Sequence, residues 1–263
     1  MPLIGVRGVE LHYTDTGSGP VALFVHGFPL DGTVWTEQVE RLSGEGRRCV
    51  VPDLAGFGRS APVVTASLDM ERHADDLAGL LDALGVDRVD LVGLSMGGYV
   101  ALAFAERHPG RLRTMALVDT KATADTPEGK AGRDAAVARL IDGGRAAFAA
   151  EMATVLLGPD AGPMLHARVR QMIESTRYET IVAALVGLRD RGDRTAVLAG
   201  SMVPVAVVVG EHDGVTPPAA AEAMVALRKE ATLHVVPGVG HLTPIEAPDA
   251  VAGVLQGVFD RGA

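Results

Sequence analysis

The chain has one cysteine, Cys49, so no disulfide can close within it. Cys49 sits in the apolar run Cys49-Val50-Val51 and reads as a small buried hydrophobe rather than a reactive thiol. Aromatic residues are scarce, at 4% of 263, and Trp35 is the only tryptophan. A core short of rings must be filled by Ala, Val, Leu and Gly, which suits buried parallel strands. Basic charge is outnumbered: 24 Lys and Arg stand against 33 Asp and Glu, for a formal net charge of −9. That balance argues against a nucleic-acid partner, which needs a basic surface. No run of about 18 apolar residues occurs, so no membrane span is expected. The start, MPLIGVRGVE, has no apolar stretch of secretory length, and the expectation is a cytoplasmic protein. No His or Cys pair has metal-site spacing, and there is no G-x-x-x-x-G-K-S/T phosphate loop. Repeats, low-complexity tracts and a long Ser/Gly/Pro linker are also missing.

What is present is the makings of a sizeable core, 48% hydrophobic against 22% charged. Short apolar runs predict strands over 11–14, 21–25, 48–52, 89–94 and 114–118, and again over 203–209 and 232–236. Amphipathic spacing predicts helices over 34–42, 68–84, 96–107, 218–227 and 250–259. Ser67 stands ready as an N-cap for the second of these, and Gly85 as its stop. Strands alternating with helices imply βαβ units and an α/β fold with a parallel sheet. From about Lys121 to Asp193 the strand runs vanish, and helical segments follow one another over 132–141, 145–156, 167–175 and 178–188. The expected organisation is one core, 1–120 with 194–263, carrying an inserted helical cap at 121–193.

Four features carry chemistry. Gly93-Leu94-Ser95-Met96-Gly97 fits G-x-S-x-G, at a strand end and a helix start. Glycines two residues either side remove Cβ atoms from a very tight turn, which presents Ser95 as a nucleophile before a helix N-terminus. Val25-His26-Gly27-Phe28-Pro29 closes another strand. The backbone N–H groups of Phe28 and Met96 are the expected oxyanion hole. His26 beside a turn is read as holding its loop. Gly210-Glu211-His212-Asp213 puts a carboxylate after a strand, where Asp213 can fix a histidine tautomer. Pro237-Gly238-Val239-Gly240-His241 puts a histidine in a glycine-rich loop, able to reach Ser95 as its base. The order Ser95, Asp213, His241 is that of α/β-hydrolases, not of the chymotrypsin or subtilisin types.

HGFPLDGTVW (26–35), DLAGFGRS (53–60), GLSMGG (93–98), GEHDGVTPP (210–218) and PGVGHLTPIEAP (237–248) resemble the blocks of the α/β-hydrolase superfamily. They are most similar to its small bacterial esterases, cofactor-free haloperoxidases and 3-oxoadipate enol-lactonases, over essentially the whole chain. The resemblance implies an eight-stranded, mostly parallel sheet flanked by helices, a helical cap, and a mechanism without cofactor. Some relatives carry the acid after the preceding strand, here Asp119; the GEHD-x-x-TPP setting favours Asp213. Haloalkane dehalogenases and epoxide hydrolases of the superfamily have aspartate where Ser95 stands, which disfavours those activities. The cap resembles that of the enol-lactonases in position and length, without its tryptophans.

The expected function is hydrolysis of a small ester or lactone through an acyl-enzyme. The alternatives are an enol-lactonase acting on an acidic lactone, a cofactor-free perhydrolase, and a ligand-binding signalling protein with slow hydrolysis. Of the apolar cap residues, Phe148, Met152 and Met172 are the expected pocket lining, the methionines because they adapt to irregular surfaces. Arg133, Arg139 and Arg145 either meet a substrate carboxylate or lie as solvated helix charges.

Overall fold

The nearly unbroken aliphatic runs form the inner strands of a single sheet. In the computed structural model, which describes residues 2–262, eight strands are present. They are β1 (Leu3–Val6), β2 (Val9–Thr16), β3 (Val21–Val25), β4 (Arg48–Pro52), β5 (Val89–Leu94), β6 (Leu112–Val118), β7 (Val205–Gly210) and β8 (Thr232–Val236). Their spatial order is β1-β2-β4-β3-β5-β6-β7-β8. β2 runs antiparallel to both neighbours, and all other pairs are parallel. β3, β5 and β7 are buried at every residue, because helices cover both faces of the sheet.

The helices are α1 (Thr36–Gly44), α2 (Met70–Ala83), α3 (Met96–Arg107), α4 (Pro127–Leu156), α5 (Pro163–Ser175), α6 (Tyr178–Asp190), α7 (Thr195–Ala199), α8 (Pro218–Ala226), α9 (Thr243–Glu246) and α10 (Pro248–Asp260). None is long and apolar enough to cross a membrane. α2 begins later than the sequence pattern predicts: Asp69, not Ser67, is its N-cap residue, and the Ser67 hydroxyl donates to the Asp69 carboxylate instead. Gly85 follows the helix with φ 64°, the left-handed conformation that ends helices.

Between β6 and β7 the chain is helical, from α4 to α7. The two helices expected over 132–141 and 145–156 form α4, interrupted at Gly144 with φ 76°. α4 starts earlier than expected, because the Thr126 hydroxyl accepts from Gly129 N–H at 3.2 Å and Pro127 occupies the first turn.

The ends of this insertion are locked together by charge. The Arg191 guanidinium donates to Asp125 Oδ1 at 2.7 Å and to the carbonyls of Leu188 and Thr123, and lies 4.0 Å from the Tyr99 ring centroid. Arg133 donates to the other Asp125 oxygen at 3.1 Å. Burial alone would raise the Asp125 carboxyl, but the bonds from Arg191 and Arg133 hold it below the ordinary range. Removing one partner of a buried pair leaves the other charge uncompensated. Asp125→Asn should therefore cost about 3–5 kcal/mol in urea unfolding at neutral pH. A depressed carboxylate contributes stability that is complete above its unfolded value, about 4, and fades as pH falls through the folded one. The gap between wild type and Asp125→Asn should accordingly shrink on acidification. A gap that is absent at pH 7, or that grows in acid, would contradict this role.

Candidate active site

Ser95 occupies the turn between β5 and α3 with φ 52° and ψ −111°, a conformation few side-chain-bearing residues adopt. The flanking glycines are compelled by close backbone approach. A Cβ on Gly93 would lie 2.3 Å from the Gly97 carbonyl oxygen, and one on Gly97 would lie 2.2 Å from that of Val25. Ser95 N–H donates to Val118 C=O on the neighbouring strand at 2.8 Å, and its carbonyl accepts from Gly98 N–H at 2.9 Å.

His241 reaches this turn from the loop after β8. Its Nε2 lies 2.8 Å from Ser95 Oγ, and its Nδ1 lies 2.8 Å from Asp213 Oδ2. A ring that donates from Nδ1 to the carboxylate leaves Nε2 to accept a hydrogen bond from the serine hydroxyl. Both His241 and Asp213 are buried. Asp213 is fully supplied with donors: Val215 N–H and Thr216 N–H reach Oδ1, and the Thr216 hydroxyl reaches Oδ2, each at 2.8 Å. Burial would raise its carboxyl, yet the His241 hydrogen bond and charge, with the Thr216 bonds, hold it below the ordinary range. It is thus an ionised partner for an imidazolium.

The turn 26–28 packs directly against Ser95. A Cβ on Gly27 would lie 3.2 Å from that of Ser95. Met96 N–H opens α3, among the donors a helix leaves without internal acceptors. His26 is occupied structurally: Leu54 N–H donates to its Nε2 at 3.0 Å, so Nδ1 donates to Gly27 C=O at 2.9 Å. Burial, the largest influence on that ring, pushes its pKa down. Asp119 does not take the place of Asp213 beside His241. Its carboxyl accepts from Gly210 N–H and from the N–H and hydroxyl of Thr243.

Sequence patterns gave no sign of Thr216 as an Asp213 donor, nor of the insertion's hold on the histidine loop. His241 N–H donates to Leu156 C=O, the last residue of α4, at 2.9 Å. Glu246 accepts from Gly158, Gly240 and Leu242 N–H together. The expected pocket residues are dispersed. Phe148 is buried in the core, Met152 is half-buried against it, and Met172 lines a cavity of about 280 Å³ with Asp31, Thr33, Arg168 and Ser175. A larger cavity, about 710 Å³, lies between β2, β4 and α1, bordered by His12, Thr14, Val39, Asp53 and Ser175. Arg133 pairs with Asp125, Arg139 with Glu151, and Arg145 donates to Thr176 C=O.

Residues 20–248 match a family model described as the alpha/beta hydrolase fold. A thermophilic esterase from Thermogutta terrifontis, solved with malate bound, is 38% identical with a TM-score of 0.94, over 100% of this chain and 99% of that one. The enol-lactonase from Burkholderia xenovorans LB400 is 26% identical with a TM-score of 0.90, over 98% and 100% of the two chains. Epoxide hydrolase 2 of Siraitia grosvenorii is 41% identical over 113 residues, 43% of this chain and 36% of that protein. The chain thus matches little more than a third of that curated relative's length.

Gly97→Ala offers a direct test of the turn. Its methyl meets backbone rather than a mobile side chain, so the β5–α3 turn must move. We expect a loss of about 1–3 kcal/mol by urea unfolding. An unchanged urea midpoint would show that the turn is not closely packed against β3.

Proposed function

The chain belongs to the alpha/beta hydrolase fold family, and from that premise we propose that it is a serine hydrolase of small carboxylic esters or lactones. The observation that carries this reading is the unbroken relay from Ser95 Oγ through His241 to Asp213, two contacts of 2.8 Å beside a strained turn. In the proposed reaction His241 Nε2 takes the Ser95 proton while Oγ attacks the substrate carbonyl. The oxyanion is held by the N–H groups of Phe28 and Met96. His241 then protonates the leaving oxygen, which departs as an alcohol or, from a lactone, stays tethered to the acyl group. Water, deprotonated by the same ring, releases the acid and restores the Ser95 hydroxyl.

Asp213 stabilises the imidazolium without being protonated itself. The route calls for no cofactor or metal. The helices at 121–193 act as a cap. Full-length likeness to an esterase and to an enol-lactonase supports ester and lactone substrates alike. Serine at position 95 argues against epoxide opening, for which the resembling enzymes carry aspartate.

Ser95→Ala should lower kcat on p-nitrophenyl acetate and butyrate by roughly 10³–10⁶-fold and abolish fluorophosphonate labelling, with the fold intact by circular dichroism. A folded Ser95→Ala variant that keeps most of its turnover sinks the mechanism. Labelling of the wild type without turnover on any ester or lactone would point to a ligand-binding role instead.

A further inference from the structure

Ser95, Asp213 and His241 lie on three separate loops, and all three loops are bonded to one tripeptide at the end of β6, Val118-Asp119-Thr120. On one side, Ser95 N–H donates to Val118 C=O and the Thr120 hydroxyl donates to Ser95 C=O, both at 2.8 Å. On the other side stands the Asp119 carboxyl. Its Oδ1 accepts from Gly210 N–H at 3.1 Å, and Gly210 C=O in turn accepts from Asp213 N–H at 3.1 Å. Its Oδ2 accepts from Thr243 N–H at 3.0 Å and the Thr243 hydroxyl at 2.7 Å, two residues beyond His241. Asp119 N–H donates to Val208 C=O on β7 at 2.8 Å. Asp119 and Thr243 are both 0% exposed, so these bonds have no competition from water.

Asp119 holds this place at φ 46°, a left-handed conformation that a non-glycine residue keeps only when its surroundings impose it. The loop it restrains needs restraint. His241 follows Pro237-Gly238-Val239-Gly240, with Gly238 at φ 75°. Nothing in that short glycine-rich run fixes the ring by itself.

We propose that Asp119 is a positioning residue for the His241–Asp213 pair, its carboxyl clamping the loop of the acid to the loop of the base. The proposal rests on the serine-hydrolase reading for its consequence in turnover, but not for the geometry it sets. A carboxylate suits the task because each arm needs an acceptor for a backbone N–H. An asparagine amide has one acceptor oxygen, so in either orientation one arm meets an NH₂ group and is released.

The test compares wild type with Asp119→Asn, Thr243→Val and Thr243→Ser. In Asp119→Asn, kcat on p-nitrophenyl acetate should fall by about 10- to 100-fold, the effect of displacing a reacting group by about 1 Å. KM should stay within about twofold, since ground-state binding is untouched. Thr243→Val, which exchanges the hydroxyl for a methyl and keeps the backbone N–H bond, should fall less, and Thr243→Ser should recover wild-type turnover. The second readout needs no substrate: the downfield proton resonance of the His241 Nδ1–H bonded to Asp213 should broaden or shift in Asp119→Asn and Thr243→Val. If Asp119→Asn does not fold, the Thr243 pair carries the test alone. A wild-type resonance with unchanged kcat in the folded variants overturns the proposal, as does a loss of kcat that merely tracks loss of folded protein. Were the wild type to lack turnover altogether, the hydrolase reading would fail, while the resonance would still decide the clamp.

Discussion

The backbone at Ser95 sets the terms for the rest of the structure. A φ of 52° costs on the order of 1–3 kcal/mol and persists only where the surroundings over-determine it. Here they do so from three directions. β3 and β5 are in parallel register, with Val25 opposite Gly93, and Gly97 then lies against the Val25 carbonyl. β6 takes the Ser95 N–H, and Thr120 takes its carbonyl. α3, buried from Met96 to Ala105, cannot tilt to relax the turn. A parallel sheet with both faces covered is what allows three backbones to meet this closely, and the aliphatic composition is what builds that sheet.

Electrostatics add a second constraint on the same few residues. Asp213 and Asp119 are buried carboxyls on adjacent strand ends, and burial raises both. They diverge because of their partners. Asp213 faces an imidazole and the Thr216 donors and is held below the ordinary range, whereas burial and then the Asp213 charge raise Asp119 against the pull of its three donors. One fold edge thus carries two buried carboxyls whose partners drive them in opposite directions. The Asp125–Arg191 pair solves a similar problem away from the site, with charge answered by charge.

How much of this was legible in the sequence follows from which interactions are local. The strands at 21–25, 48–52, 89–94 and 232–236, and the helix at 96–107, lie where apolar periodicity places them, because burial on one or both faces writes itself into consecutive residues. The three side chains singled out by motif spacing meet, because each follows a strand end on the same sheet edge. β1 and the full length of β2 were missed, since their mixed burial leaves no clean alternation. The clamp by Asp119 was not legible beyond its place after a strand. Its partners lie 91 and 124 residues further along the chain, and only folding brings them together. The pocket was least legible of all, because periodicity reports that a helical residue is buried, not what it is buried against.

The helical segment between β6 and β7 is bonded to the loop that carries His241. The last residue of α4 accepts the His241 backbone N–H, and Gly158 and Gly240 approach so closely that a Cβ on either would lie within 2.7 Å of the other's backbone nitrogen. Glu246 then binds N–H groups from both segments with one carboxylate. The segment that ends α4 and the loop that carries the imidazole are therefore tied directly to each other. The two ends of this segment are pinned together by Asp125 and Arg191 over Tyr99, four residues beyond Ser95 on α3. Any displacement of the end of α4 would thus be felt at His241, whose backbone N–H it holds. On this architecture the end of α4 and the histidine loop share one set of contacts, made through Leu156, Gly158 and Glu246.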